Sequence, residues 1–362
     1  MNVQTSRSPQ SGTKMPDHGV CGCVPGTKTL NLALQGGGAH GAFTWGVLDR
    51  LLEDDRLSFE GIAATSAGAM NAVVLAYGLA AGGREGAKKA LANFWRRISH
   101  AAAFGMLQPS EFDRAMKDWS LDHSPMFLWF DVVSRLFSPY QFNPYNVNPL
   151  RRVLEQSVDF DVLRNAACPV QVFLGATNVR TGKIKVFDNA QLTSDAVLAS
   201  ACLPFLFQAV EIDGEAYWDG GYMGNPVIFP LIYSCATRDV LIVHINPLER
   251  KEVPRTSSEI MSRINEISFN SSLMREMRAI AFVSDLIDKD VDNKLDLKRM
   301  LIHGIAADDV MLELGARSKL NADWAFLTML RDTGRERAGL WLQENFENIG
   351  KETTIDIQAR FL

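Results

Sequence analysis

GIAATSAGAMNA, residues 61–72, carries one serine among small residues at a change of chain direction. The run FEGIAAT is typical of a buried strand that ends at Thr65, and a helical pattern of small residues begins directly after Ser66. A serine in this position can cap the helix. It can also be a nucleophile held on a sharp strand-to-helix turn. The two roles are compatible, so other parts of the chain must distinguish them.

The same alternation begins earlier in the chain. TLNLALQ (29–35) predicts a buried strand, GGGAHG (36–41) predicts a turn, and residues 42–53 predict a helix with one apolar face. Further helices are predicted over 67–80 and 84–98. This order is typical of a parallel sheet with helices on both faces. We therefore predict an α/β protein, a three-layer α/β/α fold with a mostly parallel central sheet, and ligands at the carboxyl ends of its strands.

The middle and the end of the chain extend this plan. Residues 100–150 hold several prolines and many aromatic side chains, and they predict an inserted, largely helical lobe. Predicted strands follow at 169–179, 239–245 and 297–305, hairpin segments at 180–188 and around Asp213-Gly214, and helices at 194–204, 256–288 and 321–346. We predict a disordered arm over 1–28 and one domain over 29–362, whose last part, 250–362, is a helical and strand extension.

The composition excludes several classes of function. The chain has 362 residues, a net charge of −5 and no run of basic residues, so we expect no nucleic-acid partner. Five cysteines in a long chain argue against a disulfide framework. Cys21 and Cys23 leave a weak metal or redox site open, but no second Cys/His cluster is spaced to complete a zinc site.

Targeting segments are not expected from the sequence. No apolar run approaches the ~18 residues that a transmembrane helix needs. The first 28 residues lack the continuous apolar stretch of a secretory signal. We expect a cytoplasmic protein and leave peripheral contact with a membrane open. The oligomeric state is unknown from the sequence.

The glycine turn at 36–41 has two competing uses. Its successive glycines leave backbone amides uncovered ahead of a helix, which favours binding of negative charge. Gly36, Gly38 and Gly41 match the G-x-G-x-x-G pattern of dinucleotide sites, but that use wants an acidic residue at the end of the second strand. This strand ends in Ala-Thr-Ser. The same amides could instead form an oxyanion hole.

A nucleophilic serine needs a base. None of the six histidines lies in a glycine-flanked loop suited to that role, whereas Asp219 does, in YWDGGYMGNP. Gly220 and Gly221 permit a bend and the close approach of other backbone. Asp-Gly is also a common turn, so this motif by itself leaves both interpretations open.

Taken in order, the three motifs resemble the patatin-like phospholipase family. LQGGGAHGAFTWGVLDRLLE, TSAGAMNAVV and LASACLPFLFQAVEIDGEAYWDGGYMGNP are similar to its glycine-rich loop, its G-x-S-x-G elbow and its D-G-G loop. The resemblance runs from about Thr29 to at least Pro230. It implies a serine lipid acyl hydrolase, a phospholipase A or carboxylic ester hydrolase, that forms an acyl-enzyme and uses no metal and no cofactor.

By this resemblance Ser66 is the nucleophile and Asp219 the base of a Ser–Asp dyad. The resemblance also assigns oxyanion-hole residues Gly36, Gly37, Gly38 and Ala39, elbow residues Ala64, Thr65, Ala67 and Gly68, and loop residues Gly220 and Gly221. Two residues depart from the family pattern. Ala64 replaces the first elbow glycine, and His40 stands where the family often has Arg or Lys, so no fixed positive charge near the oxyanion is implied.

The substrate is less well defined by the sequence. The aromatic segment SPMFLWFDVVSRLFSPYQF predicts either the packed core of the inserted lobe or a lipid-facing lid that exposes Phe127, Trp129 and Phe130. The lipid and the ester position stay open. A catalytically silent lipid-binding module on the same fold and a dinucleotide-dependent enzyme remain alternatives.

Overall fold

The structure is a computed structural model that describes residues 26–103, 119, 136–289 and 297–362. Residues 1–25 of the arm predicted over 1–28 lie outside the described residues. The first strand already begins at Lys28, whose N–H donates to the Arg56 carbonyl at 2.8 Å. The arm prediction is therefore wrong for Lys28, because backbone pairing draws that residue into the sheet.

Within the described residues, eight strands form one sheet. They are β1 (Lys28–Leu34), β2 (Leu57–Ala64), β3 (Gln171–Asn178), β4 (Ile184–Phe187), β5 (Val210–Ile212), β6 (Glu215–Asp219), β7 (Asp239–Val243) and β8 (Leu301–Ile305). The order is β5-β6-β3-β2-β1-β7-β8, with β4 also paired to β3. The central strands β3, β2, β1, β7 and β8 run parallel, and β4, β5 and β6 pair antiparallel. The predicted mostly parallel sheet is confirmed.

The register of the sheet brings the sequence motifs to one edge. Leu34 and Ala64, the last residues of β1 and β2, are paired, so the glycine turn and the serine corner start side by side. Ala64 also pairs with Leu174 of β3. Two residues further along β3, Ala176 pairs with Asp219, the last residue of β6. Asp219 is therefore delivered to the same edge by an antiparallel strand.

The helices cover both faces of the sheet. They are Gly41–Leu51, Ala67–Ala103, Pro139–Phe142, Pro149–Glu155, Phe160–Arg164, Ser194–Ser200, Phe229–Ser234, Ser257–Lys289, Asp308–Glu313, Trp324–Asn345 and Ile357–Phe361. The second of these breaks at Gly82 and Gly83, between the two helices predicted there. Thr256 and Glu259 exchange hydrogen bonds of 3.0 and 3.3 Å, which confirms the capping-box interpretation of their spacing.

Two hydrophobic clusters lie on opposite faces of the sheet. Along β1, Leu32 and Leu34 belong to one cluster and Ala33 to the other, as expected when successive side chains alternate. Both clusters are therefore covered by helices, and the predicted three-layer α/β fold is confirmed. β8 lies in the predicted extension 250–362 and joins the same sheet. The single domain over 29–362 stays a prediction.

The predicted lobe is described only at its ends and at Trp119. Residues 104–118 and 120–135, with Phe127, Trp129 and Phe130, lie outside the described residues, so the lid and core interpretations both stay predictions. Trp119 packs at 5.3 Å between ring centroids against Phe326 of the core. For that one aromatic residue, packing is the observed role.

Candidate active site

The serine corner has the backbone of an elbow. Ser66 has φ +57°, in the left-handed region that costs a non-glycine residue roughly 1–2 kcal/mol. A helix N-cap instead has extended backbone, and the Ser66 hydroxyl caps no amide of the described helix. Its own N–H donates to Ser200 Oγ at 3.0 Å. The capping interpretation is therefore wrong, and the hydroxyl interacts with Asp219 instead.

Close backbone approach explains the small residues at this corner. A Cβ on Gly68 would lie 2.3 Å from the Leu34 carbonyl oxygen, and one on Gly41 would lie 2.8 Å from the Ala67 side chain. Only glycine fits where the helix crosses the end of β1 at this distance. Ala64 is fully buried within β2, so the sheet accommodates the methyl group that departs from the elbow pattern.

Thr65 joins the serine corner to the Asp-Gly-Gly loop. Its hydroxyl donates to the Gly224 carbonyl at 2.7 Å. Gly220 is held so tightly that a Cβ there would lie 2.1 Å from the Gly175 carbonyl oxygen, and one on Gly221 would lie 2.8 Å from the Phe269 ring. The loop after Asp219 is thus fixed by contacts that require glycine.

Asp219 is a buried carboxylate beside Ser66. It is 1 % exposed, and its Oδ1 accepts a hydrogen bond from the Gly221 N–H at 2.7 Å. Burial raises the pKa of Asp219 to about 6, against the lowering effects of the Gly221 amide and of the Ser66 hydroxyl as donors. Oδ2 has no partner of full hydrogen-bond geometry among the described residues. The Ser66 hydroxyl thus affects the pKa of Asp219 without a hydrogen bond of full geometry, and such bonds often tighten only when substrate binds.

The glycine turn packs directly against this pair. A Cβ on Gly36 would lie 2.5 Å from Ser66 Cβ. The Gly36 N–H already donates to Asn225 Oδ1 at 2.6 Å, so its assignment to the oxyanion hole is wrong. The N–H groups of Gly37, Gly38 and Ala39 have no acceptor among the described residues. Gly38, with φ +60°, is exposed, whereas Gly37 and Ala39 are buried beside it.

Buried amide side chains hold the turn from below, and sequence reasoning missed them. Asn246 Nδ2 donates to the Gly36 carbonyl at 2.7 Å. Gln35 Oε1 accepts from the N–H groups of Ile245 and Asn246 at 2.9 and 3.1 Å. Asn225 and Asn246 stood in the predicted loop and just after the predicted strand 239–245, but no spacing rule distinguishes such an asparagine from an ordinary turn residue.

His40 is neutral in this setting. Ser318 Oγ donates its hydrogen to the Gly315 carbonyl at 2.6 Å. His40 Nε2 lies 2.7 Å from Ser318 Oγ and must therefore donate to it. Nδ1 then carries a lone pair that has no partner in the described part of the chain. Burial, aided by the charge of Lys319, lowers the pKa of His40 to about 3. Residue 40 thus supplies no positive charge to the turn.

Comparison with models of protein families covers the part of the chain that holds this site. A family model described as patatin-like phospholipase matches residues 32–232, more than half of the chain and all three motifs. The chain belongs to the patatin-like phospholipase family, which places it among lipid acyl hydrolases in general. Membership of this family implies activity on lipid esters.

Comparison with solved structures finds the crystal structure of VipD from Legionella pneumophila. The likeness covers 88% of this chain and 67% of that chain, with 16% sequence identity and a TM-score of 0.44. No curated protein sequence matches the chain significantly.

Proposed function

We propose that this protein is a serine lipid acyl hydrolase, a phospholipase A or carboxylic ester hydrolase, that works through a Ser66–Asp219 dyad. One observation carries the proposal: the Ser66 hydroxyl lies beside a buried carboxylate at the edge where the glycine turn packs against Ser66. A nucleophile, a base and donors for developing negative charge are the parts that acyl transfer needs.

In the proposed reaction, Ser66 Oγ attacks the ester carbonyl while Asp219 takes its proton. The carbonyl oxygen becomes an oxyanion that accepts hydrogen bonds from Gly37, Gly38 and Ala39 N–H groups. Collapse breaks the bond to the alcohol, which leaves with the proton from Asp219, and the acyl group stays on Ser66. A water molecule then gives a proton to Asp219 and attacks the acyl-enzyme, and Ser66 Oγ regains that proton as the acid leaves.

Burial suits Asp219 to this role. An exposed aspartate, with a pKa near 3.9, is a weak base for a hydroxyl proton. At a pKa of about 6, Asp219 is a stronger base and is still mostly ionised at neutral pH. Oδ1 is occupied by the Gly221 amide, which leaves Oδ2 free to take the proton.

Covalent labelling tests the proposal directly. A fluorophosphonate probe is expected to attach to Ser66, with the site read by peptide mass spectrometry, because the reagent requires an activated and accessible serine. Labelling at another serine, or none in folded protein, would contradict the dyad and favour the silent lipid-binding module.

The pH dependence follows from the pKa of Asp219. The value of kcat/KM for a short-chain ester is expected to fall about tenfold per pH unit below pH 6, because only the ionised carboxylate accepts the proton, and to be level above it. A stopped assay from pH 4.5 to 8.5, with circular dichroism at each pH as the control for folding, measures it. A level profile down to pH 4.5 would remove Asp219 as the base.

Gly38→Ala is expected to lower kcat by about 10²–10³, the effect of losing an oxyanion donor. A Cβ there would lie 2.3 Å from the Lys319 carbonyl oxygen, so the amides must shift. Gly182→Ala is the matched control, since Gly182 has φ +66° but nothing within 4 Å of the added Cβ. Equal activities of the two variants would contradict the role of the turn.

Peripheral contact with a membrane belongs to the same proposal, because the substrates of the family are lipid esters. No helix in the described ranges combines the length and the apolar character that crossing a bilayer requires. Co-sedimentation with phosphatidylcholine vesicles tests the contact. Protein that stays in the supernatant at every lipid concentration would contradict it.

A further inference from the structure

A lysine outside the family match contacts the support of the glycine turn. Lys319 lies in the short 3₁₀ turn Ala316–Leu320, and its Nζ donates to Asn246 Oδ1 at 2.8 Å. Asn246 Oδ1 is the ammonium's hydrogen-bond acceptor among the described residues. Burial is the main cause that lowers the pKa of Lys319, while Glu266 acts in the opposite direction. The ammonium is therefore a partly buried charge that faces an amide.

Among the residues that the structure describes, no carboxylate forms a direct ion pair with Lys319. Glu266, 4% exposed, is engaged by Arg250 at 2.6 Å and by Arg263 at 3.3 Å. Two arginines therefore share that carboxylate, and Glu266 acts on Lys319 only through space.

The contact of Lys319 fixes how Asn246 is oriented. Because an ammonium only donates, the oxygen of the Asn246 side chain must face it. Nδ2 then faces the Gly36 carbonyl at 2.7 Å. The Gly36 carbonyl and the Gly37 N–H belong to one planar trans peptide and point in opposite directions. Holding the carbonyl towards Asn246 therefore turns the Gly37 N–H away from Asn246.

We infer that Lys319 is a positioning residue of the oxyanion hole, which acts on the Gly37 amide through Asn246 and the Gly36–Gly37 peptide. Each donor in this chain polarises the next, and such hydrogen bonds strengthen one another. The charge of Lys319 thereby favours negative charge on an oxygen bound to Gly37. Since His40 is neutral, this cation supplies the field that residue 40 does not. The inference rests on the proposed function.

Lys319→Met is expected to lower kcat about tenfold and to leave KM within about twofold, because the oxyanion exists only in the transition state. This loss is smaller than the loss of about 10²–10³-fold expected when an oxyanion donor is removed, because the Gly37 N–H remains in place. Lys319→Arg, which keeps the charge, is expected to restore most of the activity. Lys298→Met is the matched control. Lys298 lies just before β8 and is also part-buried, but it donates to the Cys235 carbonyl.

Coupling to Asn246 separates this role from general stability. If Lys319 acts through Asn246, the double variant Lys319→Met/Asn246→Leu is expected to be no slower than Asn246→Leu alone. The inference would be overturned if the double variant lost kcat by the product of the two single losses. A normal kcat in Lys319→Met would also overturn it. If the Lys319→Met variant does not fold, Lys319→Gln is used instead, because it keeps a hydrogen-bond donor without the charge. A normal kcat in Lys319→Gln would also contradict the inference.

Probe labelling in the same preparations distinguishes the two proposals. Wild-type protein that is not labelled at Ser66 by the fluorophosphonate contradicts the proposed function. Wild-type protein that is labelled, with a Lys319→Met variant of unchanged kcat, contradicts only the role of Lys319. A labelled wild type with a tenfold slower Lys319→Met and a rescued Lys319→Arg supports both.

Discussion

Ser66→Ala is expected to lower kcat for ester hydrolysis by about 10⁴-fold or more, because without the hydroxyl no acyl-enzyme can form. Oxyanion stabilisation and substrate binding then act only on slow direct attack by water. The loss is expected in kcat with little change in substrate binding, measured by steady-state kinetics and by binding of a non-hydrolysable ether analogue of a phospholipid.

Folding of the Ser66→Ala variant is expected to be near normal. Ala keeps the left-handed backbone strain at φ +57°, and the Ser66 N–H still donates to Ser200. The control is Ser58→Ala, which removes a serine from β2, the strand before the corner, where the Ser58 Oγ lies 2.8 Å from Thr29 Oγ1. Full activity in Ser66→Ala, or an equal loss in Ser58→Ala, is inconsistent with nucleophilic catalysis by Ser66.

Asp219→Asn is expected to lower kcat by about 10²–10⁴-fold, the usual contribution of a general base. An amide cannot accept the Ser66 proton at this pH. Its oxygen can still accept the Gly221 N–H, which Asp219 Oδ1 does at 2.7 Å, so the loop keeps its shape. The pH dependence below 6 should disappear from the residual activity.

The same variant is expected to be more stable than the wild type at pH 8. The pKa of Asp219 is raised from 3.8 to about 6 in the folded protein, so the folded state binds the proton more tightly than the unfolded chain. The stability that this tighter proton binding contributes is fully present below pH 3.8 and is lost as the pH rises through about 6. A shift of about two units costs on the order of 3 kcal/mol above that range.

Thermal unfolding at pH 4 and pH 8 measures this effect. The melting temperature of Asp219→Asn should exceed that of the wild type at pH 8, and the difference should shrink at pH 4. Asp213→Asn, at an exposed turn with φ +52°, is the control and should shift neither value. If Asp219→Asn were less stable than the wild type at pH 8, this expectation would be wrong. The interactions that stabilise the ionised carboxylate would then outweigh the cost of burying it.

Local rules predicted most of the elements correctly. The break at Gly82 and Gly83, the capping box at Thr256 and the turn at Asp213-Gly214, with φ +52° and +79°, each depend on residues close together in the chain. Errors occurred where distant residues meet. The Gly36 amide was assigned to the oxyanion hole, but Asn225, far along the chain, occupies it at 2.6 Å.

By itself, the sequence determined the alternation of strands and helices and the order of the three motifs, because glycine requirements and hydrophobic periodicity act over a few residues. The candidate pair Ser66 and Asp219 came from the resemblance of those motifs to a known family. Only the tertiary structure decided which amides stay free, that His40 is neutral and that Lys319 faces Asn246. Those features depend on strand register and on the packing of a turn near the end of the chain against one near its start. No short spacing in a sequence encodes which distant side chain fills a given hydrogen bond.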